Sequence, residues 1–246
     1  MEIIDTRKLF YDLKNRSTHT YPLVQSIFPT IPPAAVQYEL QRQGLLENGE
    51  MSLPLDVWTI AKRQLDDLVN QWAGPPTKVA ILPIQHGYVK NGVAYPHGIC
   101  LFVSPHTSVK ELLALITHEY HHICRQSYYA DSPTLLDAVI MEGLAEHAVE
   151  SLFGEHAVSS WTKRYSLEEV IDYWHRYFLE YVTVRGLHNH QHFLFGDGKQ
   201  LPAHIGYCMG YRIVEAFLTK NPLLTTQQLL QVSSEEIALG AGFTLL

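Results

Sequence analysis

Cysteine is scarce in this chain. Cys100, Cys124 and Cys208 are odd in number, far apart and set in apolar surroundings, which suits reduced core thiols and argues against a disulfide framework. There is no run of lysine or arginine, and the formal net charge is -7, so neither nucleic acid nor an anionic membrane is expected as the main partner. No apolar stretch approaches the roughly 20 residues of a membrane span. The N-terminal Met1-Glu2-Ile3-Ile4-Asp5-Thr6-Arg7 carries charge where an export signal needs its apolar core. Repeats and low-complexity segments are also missing. The expectation is a soluble, cytoplasmic protein whose oligomeric state the sequence does not report.

What is present is enough apolar material for a packed core: 246 residues, 46% of them hydrophobic. Residues 1–76 read as a helical N-terminal scaffold interrupted by prolines, as in Phe28-Pro29-Thr30-Ile31-Pro32-Pro33. Their clearest helix spans about Pro54 to Trp72 and ends at Gly74-Pro75-Pro76. Residues 77–246 carry the rest of a unit expected to be compact with that scaffold. From Lys78 to Val103 the pattern turns to short β runs, with Asn91-Gly92 predicting a two-residue hairpin turn. Pro83 and Pro96 favour a small sheet with exposed edges. The strand Ile99–Val103 is the expected edge for docking an extended peptide.

The stretch that organises the chain is Thr117-His118-Glu119-Tyr120-His121-His122, an H-E-x-x-H pattern on a helix opened by a capping box at Ser108 and Glu111. Residues four apart share a helix face, so His118 and His122 can offer two imidazole nitrogens to one ion. The apolar stripe Val109, Leu112, Leu113, Ile116, Tyr120 and Ile123 lies roughly opposite. Glu119 sits beside the pair as a general base for a metal-activated water. His121 points off the ligand face and reads as a surface or packing residue.

Catalytic zinc needs a third protein ligand. The residues after His122 lack the glycine and histidine of the extended metzincin motif, so the ligand comes from elsewhere. A second helix, expected to be capped by Asp131-Ser132-Pro133 and to end near Gly154, offers Glu142 as the best candidate. Asp137 and Glu146 are rivals. Gly143 would let the two helices approach closely. A further helix begins at the Ser166/Glu169 capping box, a loop holding His188, His190 and His192 follows, and a last long helix is expected from Pro202 to about Lys220. On it His204, Tyr207 and Tyr211 recur at helical spacing, with Gly206 and Gly210 suggesting close packing against the metal-bearing helices. Any of the three could stabilise a developing oxyanion, with His204 and then Tyr211 preferred.

His118-Glu119-Tyr120-His121-His122 followed by Glu142-Gly143-Leu144-Ala145-Glu146 resembles the gluzincin, thermolysin-like zinc peptidases. Together with His204-Ile205-Gly206-Tyr207-Cys208-Met209-Gly210-Tyr211-Arg212-Ile213-Val214 it is similar to the bacterial YjaZ-type predicted zinc-dependent proteases, over about Gly98 to Phe217. The resemblance implies Glu142 as third ligand and Glu146 as the carboxylate orienting the first histidine, a role that would fix an imidazole tautomer. It implies an α+β zincin-like fold: a small antiparallel or mixed sheet on a predominantly helical body carrying the H-E-x-x-H helix. The expected function is a zinc-dependent metallopeptidase acting on a peptide or protein, with Zn2+ as cofactor. The other reading is a zinc-binding regulatory or interaction protein on the same scaffold, without turnover.

Overall fold

The computed structural model describes residues 1–11, 14, 16–46, 49–85, 87–96, 98–129 and 133–245. It divides into two compact units, Met1–Cys124 and Arg125–Leu246, and is α+β.

The first unit is built on a four-stranded mixed sheet. In chain order it contains β1 (Glu2–Ile4), α1 (Ser17–Ile27), α2 (Pro33–Arg42), α3 (Val57–Trp72), β2 (Lys78–Pro83), β3 (Lys90–Tyr95), β4 (Gly98–Val103) and α4 (Val109–Gln126). Strand order is β1-β2-β4-β3. β1, β2 and β4 run parallel, and β3 is antiparallel to β4. β4 is buried at every position, as a continuous apolar strand covered on both faces should be. It bonds β2 on one side and β3 on the other. Contrary to expectation, it therefore has no free edge for a peptide; at that end of the sheet the edge strand is β3.

The hairpin expected at Asn91-Gly92 is also absent. These residues lie inside β3, paired with Phe102 and Leu101. The local turn preference yields to a full ladder with β4. The N-terminal segment supplies β1 as well as helices. Val24 and Ile27 of α1 and Val36 and Leu40 of α2 pack on Ala80, Leu82, Cys100 and Phe102. The alternate residues Val79, Ile81, Ile99 and Leu101, at most 1% exposed, face the other way. Arg16 is fully buried. Its guanidinium donates to the carbonyls of Tyr11 (2.9 Å), Leu46 (2.8 Å), Leu9 and Gly49, tying the N-terminal loops together. α3 starts after Asp56, whose side chain accepts from the Thr59 amide.

The second unit is helical. α5 (Leu135–Phe153) opens at Thr134 in a capping box with Asp137; residues 131 and 132 of the expected cap lie outside the described residues. α6 (Leu167–Tyr173), with its Ser166/Glu169 capping box, continues through a π turn at Trp174–Phe178 and a 3-10 turn to Tyr181. The expected loop at 186–201 contains a helix, α7 (Leu187–Phe195). α8 (Ile205–Lys220), α9 (Thr226–Leu229) and α10 (Ser234–Ala241) complete the unit. Leu135, Val139, Ile140 and Leu144 of α5 share one core with Ile205, Met209, Ile213 and Phe217 of α8 and with Trp174 and Phe178. Among the described residues no helix is long and apolar enough to cross a membrane.

Candidate functional site

α4 begins as expected: the Glu111 carboxylate accepts from the Ser108 amide (2.9 Å) and hydroxyl (2.7 Å), and the Ser108 hydroxyl accepts from the Glu111 amide. From Ala114 to Arg125 every residue is buried except His118, which keeps partial exposure. One side of the helix is held by α3 and the segment after it. Gln64 donates to the Thr117 hydroxyl (3.1 Å), and Tyr120 stacks on Trp72 and donates to the Pro75 carbonyl (3.2 Å). His121 is buried edge-on to Trp72 and is a packing residue rather than a surface one. These contacts use positions 117, 120 and 121. Positions 118, 119 and 122 lie on a different face.

On that face the Nε2 atoms of His118 and His122 are 3.0 Å apart, with the rings at 86°. Two zinc-bound nitrogens at tetrahedral geometry sit about 3.3 Å apart, so the pair needs little adjustment to share an ion. Glu119 is 6% exposed and reaches the sheet at Gly92. A Cβ on Gly92 would lie 2.7 Å from both Cγ and Cδ of Glu119, and closer still to Oε1. Burial, and then the charge of Glu119, push the Cys100 thiol well above its ordinary range. Cys100, Cys124 and Cys208 are all buried free thiols.

His118 and His122 of the first unit and Glu142 of the second offer donor atoms of the kinds that could hold a metal ion. Two imidazoles and one carboxylate are the donor set of a three-ligand catalytic zinc site. Both rivals to Glu142 accept hydrogen bonds within the second unit. One Asp137 oxygen accepts from the amide and hydroxyl of Thr134, and the other accepts from Ser234. Burial works to raise the Asp137 pKa, but these bonds and the charge of Arg125 hold it below the usual value. The Glu146 carboxylate accepts from the amide (2.6 Å) and hydroxyl (2.9 Å) of Ser159, which anchors the turn ahead of α6. Gly143, expected to ease the approach of the two histidine- and glutamate-bearing helices, instead abuts Gly210 of α8. Gly210 packs on α5, as expected, but Gly206 packs on the backbone of Phe193 and Leu194.

The three residues expected to share a helix face do not. His204 precedes α8 in a left-handed conformation, φ 61°. Burial, and then the charge of Arg164, lower its pKa, favouring a neutral ring. Its Nδ1 is buried without a hydrogen-bond partner among the described residues. Its ring lies near Phe195 and Tyr207, and Tyr207 also meets Trp161. Tyr211 is 1% exposed, stacked on His147 at 4.3 Å, and donates its hydroxyl to Glu150 at 2.9 Å. It is a committed core residue. His188, His190 and His192 lie on α7, where His190 is buried with Nε2 2.8 Å from the Val184 carbonyl. They form no metal-capable group among the described residues.

Gly92 was not legible as a site residue, because its neighbour Asn91 makes it read as a turn. The available signal was a glycine inside a β run, which marks close approach by another group.

Two comparisons bear on this geometry. The chain is 33% identical over 174 residues to the uncharacterized protein YjaZ of Bacillus subtilis (strain 168), covering 66% of each chain. It is 28% identical over 159 residues to the uncharacterized protein YjfC of the same organism, covering 59% of this chain and 52% of that one. The chain thus spans about two thirds and about half of the lengths of these relatives. Residues 57–239 match the model of the family described as predicted Zn-dependent protease (DUF2268), and the chain belongs to that family.

Proposed function

We propose that this protein is a zinc-dependent peptidase of the gluzincin kind on a zincin-like fold, with His118, His122 and Glu142 as ligands and Glu119 as general base. The observation that carries the reading is the 3.0 Å approach of the His118 and His122 Nε2 atoms on one face of α4, with Glu119 next to His118 in the chain. When bound, zinc supplies Lewis acidity and lowers the pKa of a coordinated water to about 7.

The chain's residues do the rest. Glu119, buried and seated against β3, accepts the proton of the attacking water and returns it to the leaving amine. His204, neutral and with a ring nitrogen not otherwise used among the described residues, donates to the developing oxyanion, and Tyr207 is the other candidate. Tyr211 is left out, because its hydroxyl is bound to Glu150. A peptide or protein substrate docks by adding a strand to the outer edge of β3, next to Glu119. The buried free thiols suit a reducing, cytoplasmic setting.

The test is metal analysis together with cleavage of an unbiased peptide library by the wild type and by Glu119→Gln. One zinc per chain in both proteins, with cleavage by the wild type alone, is expected. Cleavage unchanged in Glu119→Gln sinks the mechanism. Zinc without cleavage by either protein leaves a zinc-binding module without turnover.

A further inference from the structure

We propose that Gly92 is a positioning residue for Glu119: its missing side chain is the seat that holds the carboxylate against the edge strand. The catalytic meaning of that seat rests on the reading of Glu119 as the proton-moving group.

A glycine inside a strand weakens it, through chain entropy and the lack of a side chain to pack. The usual reasons to keep one do not apply here. Gly92 is in no turn, being paired with Leu101 in mid-ladder, and it is not among the residues with positive φ. What is special is its neighbour. The nearest atoms to a Cβ built on Gly92 are Oε1, Cδ and Cγ of Glu119, the last two at 2.7 Å.

Something would have to move if that Cβ were present. β3 cannot retreat, since it is registered to β4 from Lys90↔Val103 to Tyr95↔Gly98. The Lys90 ammonium also donates to the Glu111 carbonyl at the start of α4 (3.2 Å). α4 cannot retreat easily either, because Thr117, Tyr120 and His121 are locked to Gln64, Trp72 and Pro75. The atoms that meet the added methyl are the far end of the Glu119 side chain, and that end is what shifts. A base must be held within about 0.5 Å of its productive position, so a methyl group at 92 disables the base and leaves the ligands in place.

The experiment uses the full-length, zinc-loaded protein with Gly92→Ala, Glu119→Ala and the double variant. Melting temperature, zinc content, and kcat and KM on a cleaved peptide are measured. Gly92→Ala is expected to lower Tm by about 3 °C or more in the wild-type background and not at all in the Glu119→Ala background, where the obstructing carboxylate is gone. It should keep its zinc and KM while kcat falls by about 100-fold, the lower end of what a general base contributes. Equal Tm losses in both backgrounds overturn the proposal, and so does an unchanged kcat in Gly92→Ala. If the Tm coupling is present but the wild type cleaves no peptide, the seat stands and the peptidase reading falls.

Discussion

Gly143 and Gly210 meet backbone to backbone where α5 packs on α8. A Cβ on Gly143 would lie 2.8 Å from the Tyr211 amide nitrogen and closer still to the Gly210 carbonyl; one on Gly210 would lie 3.1 Å from the Gly143 amide nitrogen. No flexible side chain is available to give way, so alanine at either position must separate the two helices. Gly143→Ala is expected to destabilise the protein by about 1–3 kcal/mol, the usual cost of overpacking. An unchanged urea midpoint would mean that the helices repack freely.

Arg125 holds the C-terminal segment of its unit. Its Nη1 donates to the carbonyls of Leu229 (3.1 Å), Leu230 (2.9 Å) and Val232 (2.6 Å), and its Nη2 lies 3.4 Å from the hydroxyl of Ser234, which donates to Asp137. At 4% exposure water cannot readily replace it. Arg125→Met keeps the stem but leaves those carbonyls without their donor, at an expected cost of about 1–3 kcal/mol. Denaturant unfolding gives the size of the loss, and amide exchange should place it in residues 226–241. Protection there equal to that of the wild type would contradict the role.

His147 gives the second unit a pH dependence. Burial lowers its pKa below the ordinary 6.5, and this outweighs the Tyr211 carbonyl and the charges of Glu150, Glu215 and Glu146, which favour protonation. The unfolded chain therefore binds a proton more readily than the folded one. The stability contribution is full above pH 6.5 and is lost as pH falls through the lowered folded value. His147→Gln should show a smaller loss of urea midpoint than the wild type between pH 7.5 and the acid side of that window. Parallel pH profiles for the two proteins would refute the assignment.

Metal removal should act on stability as well as activity. A ligand that binds only the folded chain stabilises it by mass action, about 2.7 kcal/mol at a hundredfold excess over Kd. A strong chelator should lower the Tm of the wild type and added zinc should restore it. His118→Ala should show neither response. A Tm indifferent to chelator in protein freshly purified with its metal would count against a zinc centre.

Where the structure departs from the sequence reading, long-range contacts outweigh local preference. Asn91-Gly92 has the composition of a turn, yet pairing with β4 extends the strand straight through it. The histidine-rich segment after Gly186 reads as loop, yet Phe193 is buried in the helical core and the segment forms α7. His204 looks like part of a helical series with Tyr207 and Tyr211, but it turns left-handed just ahead of α8, and Tyr211 faces inward to His147 and Glu150.

The sequence by itself determined the helix bearing His118, Glu119 and His122, its Ser108/Glu111 cap and the presence of two imidazoles one turn apart. These depend on residues three or four positions away, and such relations are written directly in the chain. Only the tertiary structure decided that β3 rather than β4 is the edge strand, that His121 packs on Trp72, and that Gly92 leaves room for the Glu119 carboxylate. Each of those outcomes depends on partners far apart in the chain, whose approach is set by the packing of whole helices and strands.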